Sequence, residues 1–527
     1  MPRDGTETRP DRHARWLAVL PMVAILLGWN AYQFARLGTP MRMGHEAWIG
    51  RQIGRTARNH LVLGLGITRG ANVTAIRQDR SLELHLSYTP LASWAVALPM
   101  AAGLPFHAAI RLPVLLSINL FLASLWHFAR GLRGPRVAAL ALAFAAFSPI
   151  LLFRYGMTCI FEILALGPLM AFVALAARPT RGKATWAGLA IMAVAAVLFS
   201  WICWLVILPC VVREARSGRR MGSLGLGAIA IAIPIGVHFG TIALAAGGGL
   251  DGFATFLRHV AYRASGAGEG ARAGGVVAYP AILRLLLVRW VRNLGIIPLA
   301  GVAIVLGRAV LRRGDGAGVG WILLLLAFAL PMNLARNLAY LHDFFIILFL
   351  PAAALCAGIV LARLGGRWRD IPLFLAVGAA LMIDAGPARK VAGPRPGDAR
   401  MERIADAIGA VVRPDDLVIA DGELCGIGPE ELRDLGPDRE RTPRPYYAGE
   451  MAQTVLVARD AVDAQRLAAS AAPGRRVVIL QVGRADWALP DRFALVETRA
   501  PGLRAGVGTY GREPGIATRT PAGTRRE

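Results

Sequence analysis

Charged residues are scarce in this sequence, and lysine is almost absent. Only 18% of the 527 residues are charged, whereas soluble globular proteins carry about a quarter. All of the 59 basic residues except Lys183 and Lys390 are arginines, a skew typical of a GC-rich genome. The net charge of +25 therefore does not predict a nucleic-acid partner. The five cysteines are scattered and match neither a disulfide framework nor a metal-ligand spacing.

Long apolar runs fill the first three quarters of the chain, whose mean hydropathy is +0.49. Runs near twenty residues predict membrane-spanning helices. Short loops rich in arginine usually lie on the cytoplasmic side of a membrane. All such loops of this sequence can lie on that side only if each is separated from the next by two membrane spans. This predicts an α-helical polytopic protein with about eleven transmembrane helices and a cytoplasmic N-terminus. The predicted spans are 16–37, 108–129, 137–153, 161–177, 185–199, 201–212, 222–245, 293–310, 319–335, 340–362 and 371–385. The two spans within 185–212 are short, and a single tilted helix there would move the later basic loops outside.

Acidic residues divide the chain into two parts. Up to Asp384 there are 14 acidic residues against 37 basic ones, and beyond it 20 against 22. We therefore predict a transmembrane module over residues 1–385, with outer loops at 38–107 and 246–292, and a small soluble α/β domain over 386–527. Within the first loop, an apolar stretch over 89–103 contains two prolines and predicts a helix at the membrane surface. Strands are predicted at 416–420, 453–458 and 476–482, helices at 401–412 and 461–471, and disorder after about residue 510.

Three carboxylates fall at the outer ends of the predicted spans. Glu46 follows the first span, Glu162 begins the fourth and Asp343 begins the tenth. A charged residue in or beside an apolar helix is costly, so it is a functional candidate by default. Each of these acids also has a structural explanation. Glu162 and Asp343 lie in the first turn of their predicted helices, where the helix dipole favours a negative charge, and Glu46 could be a solvated loop carboxylate.

Basic and aromatic residues near these acids are candidate substrate ligands. Arg58, Arg154 and Arg336 could clamp a lipid phosphate, although most arginines at a membrane boundary extend to lipid headgroups instead. His85 and Tyr88 precede the predicted surface helix and are candidate ligands as well. The structural alternative is that Tyr88 is an interfacial aromatic residue and His85 an ordinary loop histidine.

These motifs, in this order, resemble the C-type (GT-C) membrane glycosyltransferases, in particular the superfamily of the protein O-mannosyltransferases and the lipid-A aminoarabinose transferases (family 39-like). The resemblance covers residues 16 to about 365. The matching motifs are His45-Glu46-Ala47-Trp48, Ala57-Arg58-Asn59, Tyr88-Thr89-Pro90-Leu91, Arg111-Leu112-Pro113, Ser148-Pro149, Arg154-Tyr155, Glu162, His342-Asp343-Phe344-Phe345 and Pro351. The family's first acid, usually a catalytic aspartate, aligns with His45. Glu46 or His45 therefore takes the role of base, or the chain is a divergent or inactive member.

The resemblance implies an enzyme of the bacterial inner membrane, with its C-terminal domain in the periplasm. Such enzymes move a sugar from a polyprenyl-phosphate carrier to a hydroxyl of a lipid, protein or glycan acceptor, with inversion. Glu46, His45 and Glu162 would be catalytic, and Arg58, His85, Tyr88, Arg154, Arg336, His342 and Asp343 would bind substrate. The resemblance implies no cofactor and no metal, and the sequence has no ligand cluster that suggests one.

Three other functions remain open on the sequence. A transporter or flippase of a lipid-linked glycan would carry polar residues within its spans and internal repeats, yet the spans are clean and no repeat is found. A polymerase or ligase of surface polysaccharide is chemically close. An inactive scaffold with the same architecture is the third, and the histidine at position 45 favours it.

Overall fold

The computed structural model describes residues 12–39, 41, 45–77, 79, 81–85, 88–179, 182–245, 254, 257, 279–311, 316–334, 343–363, 396–413, 415–425, 427, 431–432, 439–441, 443–444, 453–472, 474–482, 493–496 and 503–510. The chain forms two compact units. The first comprises Met1–Val73 and Leu84–Asp398, and the second comprises Thr74–Glu83 and Ala399–Glu527. Four parts of the prediction lie outside the described residues. They are the boundary at 385/386, the span at 371–385, the part of the second outer loop over 258–278 and the tail after 510.

Helices make up almost all of the described part of the first unit. They are α1 Arg12–Phe34, α2 His45–Leu63, α3 Leu65–Thr68, α4 Leu91–Ala101, α5 Phe106–Arg133, α6 Pro135–Ala146, α7 Phe161–Ala176, α8 Lys183–Phe199, α9 Trp204–Arg216, α10 Arg220–Ala245, α11 Tyr279–Leu294, α12 Ile296–Leu311, α13 Gly316–Leu334 and α14 Leu350–Ala362. A π-helix spans Ile150–Tyr155, and 3₁₀ turns span Trp201–Cys203 and Asp343–Phe349.

Three of the described helices are long and apolar enough to cross a membrane. They are Phe106–Arg133, Arg220–Ala245 and Asp343–Ala362, which joins the last 3₁₀ turn to α14. The pair α11–α12 would be a fourth span if it is counted as one broken helix, and six further apolar helices are shorter, with 10–17 residues. The number of eleven spans stays a prediction.

A proline ends one predicted span early, and a glycine separates two consecutive helices. The predicted span 137–153 ends early, at Ala146, and the π-helix follows after a break. Pro149 lacks an N–H and disfavours helical backbone at the residue before it, which explains the break. Between α11 and α12 the chain bends by 112° at Gly295, whose φ of 88° is readily adopted only by glycine.

The helices α8 and α9 run in opposite directions. Ser200, between them, has an extended backbone, and Arg219, just after α9, donates a hydrogen bond to the carbonyl of Pro179, just before α8, at 2.9 Å. Both ends of the pair therefore meet on the same side. This excludes the single tilted helix that the short lengths of the two segments left open.

Small residues allow close approach of the central helices. Gly167 of α7 donates its N–H to Ser117 Oγ of α5 at 3.2 Å, and Ser117 donates to the carbonyl of Leu164 at 2.8 Å. A Cβ at Gly358 of α14 would lie 2.7 Å from the carbonyl oxygen of Val137 in α6. Contacts of this kind replace the hydrophobic effect in holding membrane helices together.

The second unit contains a six-stranded mixed sheet. Its strands are β3 Leu417–Ala420, β4 Glu440–Arg441, β5 Val455–Val457, β6 Arg475–Val482, β7 Ala494–Val496 and β8 Leu503–Tyr510, in the order β4-β5-β3-β6-β8-β7. The central strands β5, β3 and β6 are parallel, and Leu417 pairs with Val477. The helices α15 Pro396–Val411, α16 Gly422–Cys425 and α17 Ala461–Ala469 belong to this unit. The predicted strands and helices of this region coincide with β3, β5, β6, α15 and α17.

A short hairpin early in the chain contributes to the second unit. Its strands are β1 Val73–Ile76 and β2 Leu82–Leu84. Thr454 donates its N–H to the carbonyl of Ile76 at 2.9 Å, and Ile76 forms a parallel bridge with Gln453. From the sequence this hairpin was predicted to belong to an outer loop of the membrane module, because nothing in its local pattern indicates a partner almost four hundred residues away.

Candidate active site

A pocket with amide and hydroxyl side chains among its lining residues lies beside α2 in the first unit. One face of α2 supplies residues at helical spacing, and the opposite walls come from the segment around β1 and β2, from α4 and from the start of α7. The lining residues are Ile49, Gln52, Ile53, Thr56, Asn72, His85, Ser93 and Phe161, and the empty space between them, part of it open to solvent, measures about 290 Å³. A concave site with a few convergent polar groups is the usual form of a small-molecule site.

Hydrogen bonds order the polar wall of this pocket. Gln52 Nε2 lies 3.2 Å from His85 Nδ1. Ser93 donates to Asn72 Oδ1 at 2.7 Å, and Asn72 Nδ2 donates to the carbonyl of Tyr88 at 2.9 Å. The amide and hydroxyl groups are thereby held in fixed positions before any ligand binds.

Three stacked rings run beside the pocket. Tyr88 lies between His85, with ring centroids 5.7 Å apart, and Phe161, with centroids 3.7 Å apart, and all three rings are nearly parallel. The structure thus brings the predicted ligands His85 and Tyr88 together, and it adds Phe161 to them.

A buried histidine supports the pocket from behind. His60 Nε2 lies 3.2 Å from Ser93 Oγ, and its Nδ1 lies 3.0 Å from Thr68 Oγ1. Burial lowers the pKa of His60 to about 4, so the imidazole is neutral at pH 7. It contributes hydrogen bonds to the pocket wall without contributing charge.

A second cluster surrounds Asp343, at the start of the 3₁₀ turn. Arg154 Nη1 lies 2.6 Å from Asp343 Oδ2 and donates to Asn293 Oδ1 at 2.9 Å. The hydroxyl of Tyr155 donates to Asp343 Oδ1. Arg154 and Asp343 were predicted as separate candidates from the sequence, and the structure joins them in one ion pair.

Two further arginines give this cluster an excess of positive charge. The charge of Arg289 acts on both Tyr155 and Arg292, and Arg292 also interacts with Arg154 and Asp343. Within the described residues, Arg292 Nε and Asn293 Nδ2 are buried without a hydrogen-bond partner. Arg289, Arg292 and Asn293 were not among the candidate residues predicted from the sequence, in which 246–292 was assigned to an outer loop.

Glu46 has a different environment from the one expected. It lies in the first turn of α2, only 7% exposed, and its Oε1 pairs with Arg111 Nη2 at 2.8 Å. Arg111, 2% exposed, also donates to the carbonyl oxygens of Arg36 and Leu37, at 2.8 and 3.1 Å. The pair therefore ties the start of α2 and the end of α1 to α5. Glu46 is neither a solvated loop carboxylate nor one of the residues that line the pocket.

The remaining candidates are placed as follows. Glu162 is 2% exposed and directly follows the pocket residue Phe161 in α7. His45 is the first residue of α2, and Arg58 is half-buried on the same helix. The predicted ligands Arg336 and His342 lie outside the described residues.

No group of three or more metal-ligating side chains is present in the part of the chain that the structure describes. The cysteines Cys159, Cys203, Cys210 and Cys356 are buried singly among apolar helices, and none of the five forms a disulfide.

Solved structures share this architecture. ArnT from Cupriavidus metallidurans bound to undecaprenyl phosphate matches with a TM-score of 0.58 over 93% of this chain and 97% of its own, at 14% identity. The chain has the GT-C fold. The same ArnT in the apo state matches with a TM-score of 0.51. The oligosaccharyltransferase AglB from Archaeoglobus fulgidus, in complex with an inhibitory peptide and a dolichol-phosphate, matches with a TM-score of 0.50 at 13% identity, over 89% of this chain and 70% of its own.

The resemblance in sequence motifs thus agrees with the fold. No protein-family model matches the sequence, and no curated protein matches it. These neighbours are membrane glycosyltransferases, and two of the three structures hold a polyprenyl-type phosphate.

Proposed function

We propose that this chain is a membrane glycosyltransferase that moves a sugar from a polyprenyl-phosphate carrier to an acceptor hydroxyl. The observation that carries the proposal is the cluster of three arginines around one carboxylate. Arg292 Nε and Asn293 Nδ2 are buried there without a partner among the described residues. Buried donors and excess positive charge suit a phosphate, which accepts several hydrogen bonds and would satisfy them.

In this proposal the cluster binds the phosphate of the carrier, and the pocket beside α2 receives the sugar. Arg154 in the π-helix and Phe161 at the start of α7 are only seven residues apart along the chain. Seven residues span at most about 25 Å, so both sites belong to one region of the first unit.

The reaction forms one bond and breaks one. The acceptor oxygen attacks the anomeric carbon as its proton passes to a base, and the bond from that carbon to the phosphate oxygen breaks with inversion. Polyprenyl phosphate leaves with the electron pair, and Arg154 and Arg292 stabilise its growing negative charge. His45, Glu46 and Glu162 are the candidate bases. Glu162 directly follows the pocket residue Phe161, whereas the ion pair of Glu46 with Arg111 stabilises the fold.

The proposed orientation follows from the basic loops. The cytoplasmic side receives the arginine-rich connections, and the site and the second unit then face the periplasm of a bacterial inner membrane. The acceptor is a hydroxyl of a lipid, protein or glycan, and the reaction requires no metal or other cofactor.

The release of polyprenyl phosphate from labelled polyprenyl-phosphate sugars, by the protein in nanodiscs, tests this proposal. We expect Arg154→Gln and Arg292→Gln to lower release by about 10- to 100-fold, because each removes charge-assisted hydrogen bonds to the phosphate. Arg130→Gln, at an exposed position in the last turn of α5, is the matched control and should retain full activity.

Substitution of the candidate bases distinguishes their roles. Loss in Glu162→Gln alone would assign the base to Glu162, and loss in His45→Ala alone would assign it to His45. An inactive scaffold is the second candidate function, which the burial of Glu46 in an ion pair favours. Absence of release from every donor, by wild-type protein that remains folded, would support the scaffold and overturn the enzyme.

A further inference from the structure

The carboxylate of Asp343 is held among the arginines by both of its oxygen atoms. Its Oδ2 lies 2.6 Å from Arg154 Nη1, and its Oδ1 accepts a hydrogen bond from the hydroxyl of Tyr155. Arg154 and Tyr155 are adjacent in the π-helix, so a single turn of chain fixes the carboxylate. The side chains of Arg154 and Asp343 are only 13% and 16% exposed. Water and salt therefore screen the charge of Asp343 much less than that of a surface acid.

A buried donor without a hydrogen-bond partner lies near this carboxylate. Arg154 Nη1 also donates to Asn293 Oδ1, at 2.9 Å. Because a guanidinium only donates, this bond identifies the amide oxygen, and Asn293 Nδ2 remains for another acceptor. A phosphate oxygen bonded to Nδ2 would lie within about 11 Å of Asp343 Oδ2, through the bonds that join Asn293, Arg154 and Asp343. Asp343 therefore repels a phosphate that binds in the cluster.

The phosphate of the carrier changes its charge in the proposed reaction. The sugar-loaded carrier is a phosphodiester with one negative charge, whereas the released carrier is a monoester with a charge of about −1.5 to −2 at pH 7. Arginines that stabilise the charge growing on the leaving group also bind the released carrier more tightly than the donor. Slow release of the carrier is the consequence, unless another charge in the cluster opposes it.

Resting on the proposed function, we propose that Asp343 determines how strongly the cluster distinguishes these two phosphates, and that it speeds the release of the carrier. Coulomb energy is proportional to the charge of the ligand, so Asp343 weakens binding of the monoester about twice as much, in free energy, as binding of the diester. The resemblance implies that Asp343 is a substrate ligand. In this proposal it limits the affinity that Arg154 and Arg292 provide.

Binding of the two lipids to the full chain in nanodiscs tests this inference. Labelled undecaprenyl phosphate and undecaprenyl-phosphoryl hexose are compared at about pH 8, above the second pKa of a phosphate monoester, which is about 6. Asp343→Asn keeps the shape of the side chain and should tighten binding of the diester about tenfold and of the monoester about a hundredfold. Asp79→Asn, in the exposed turn between β1 and β2, removes the same charge and should change neither affinity.

Turnover kinetics give a second result that a purely structural role of Asp343 would not produce. In Asp343→Asn the first turnover should be at least as fast as in the wild type, because the arginines still stabilise the leaving phosphate. Later turnovers should be slower by about tenfold or more, because release of the carrier then limits the rate. Loss of the first turnover as well would show that Asp343 orients the site, and it would contradict the inference.

The outcomes separate the two proposals. Weaker or unchanged binding of undecaprenyl phosphate by Asp343→Asn, or equal tightening of both lipids, would overturn this inference and leave the proposed transferase intact. Asp343→Ser also lacks the charge and provides the same comparison if Asp343→Asn does not fold. Failure of the wild type to bind undecaprenyl phosphate, or wild-type affinity in both Arg154→Gln and Arg292→Gln, would overturn the proposed function, and the inference with it.

Discussion

The ion pair between Glu46 and Arg111 gives the strongest prediction about stability. Both side chains are almost fully buried, 2.8 Å apart, and Arg111 also satisfies backbone carbonyls after α1. Removal of one partner from a buried pair typically costs 3–5 kcal/mol, because the other charge stays buried without compensation. We therefore expect Arg111→Met to lower the free energy of unfolding by about 3–5 kcal/mol.

Thermal unfolding in detergent, with matched variants, measures this effect. Arg130→Met, at an exposed position in the last turn of the same helix α5, is the control and should cost no more than about 1 kcal/mol. The double variant Glu46→Gln with Arg111→Met removes both charges and should recover part of the loss, since the two residues interact directly. A cost for Arg111→Met no greater than that of the Arg130→Met control would refute the structural role of the pair.

This result also decides how activity data on Glu46 are interpreted. If Glu46→Gln loses both stability and turnover, the carboxylate acts through the fold. If Glu46→Gln keeps the wild-type melting temperature and loses turnover, Glu46 is the base that the family resemblance implies.

Three further predictions concern packing and pH. Gly167→Ala should destabilise the helical unit by about 1–3 kcal/mol, because the added methyl group would collide with Ser117, whereas Gly236→Ala in α10 meets no atom within 4 Å and should be neutral or stabilising in thermal unfolding. His60 is buried in its neutral form, so its contribution to stability is complete above pH 6.5 and should fall by about 3 kcal/mol as the pH drops to about 4. The difference between the wild-type and His60→Gln stability curves over that range measures this loss, and a constant difference would contradict it. Burial raises the pKa of Asp421 to about 6, so its contribution is largest below pH 3.8 and should be lost as the pH rises to 6, which the difference between the wild type and Asp421→Asn would reveal.

Much of the fold could be predicted because apolar runs and basic loops are local signals. The bounds of α5, α7 and α10 lie close to the predicted spans, and the turn between α8 and α9 agrees with two segments rather than one. The break before the π-helix depends on a single residue, Pro149, within apolar sequence, and a hydropathy window averages it out. The bend at Gly295 lies close to the predicted start of the span at residue 293.

The candidate site was predictable only in part, because its residues come from distant segments. Asp343 and Arg154 are 189 residues apart and were each singled out as charges at a membrane boundary, but nothing in the sequence paired them. The pocket residues Gln52 and Thr56 are ordinary polar residues on a helix, and their role emerges only once Asn72 and Phe161 face them. Arg111 was recognised as part of a motif, yet its partnership with Glu46 required the three-dimensional packing of α2 against α5.

The measurement that tests the central claim most directly is a single-turnover reaction of the wild-type protein with a labelled polyprenyl-phosphate hexose and a hydroxyl-bearing acceptor. Free polyprenyl phosphate and the glycosylated acceptor are quantified together, and the anomeric configuration of the new bond is determined. The account predicts equal amounts of both products and an inverted anomeric centre. Retention of configuration would contradict the proposed direct displacement, and transport of the intact glycolipid without cleavage would contradict glycosyl transfer altogether.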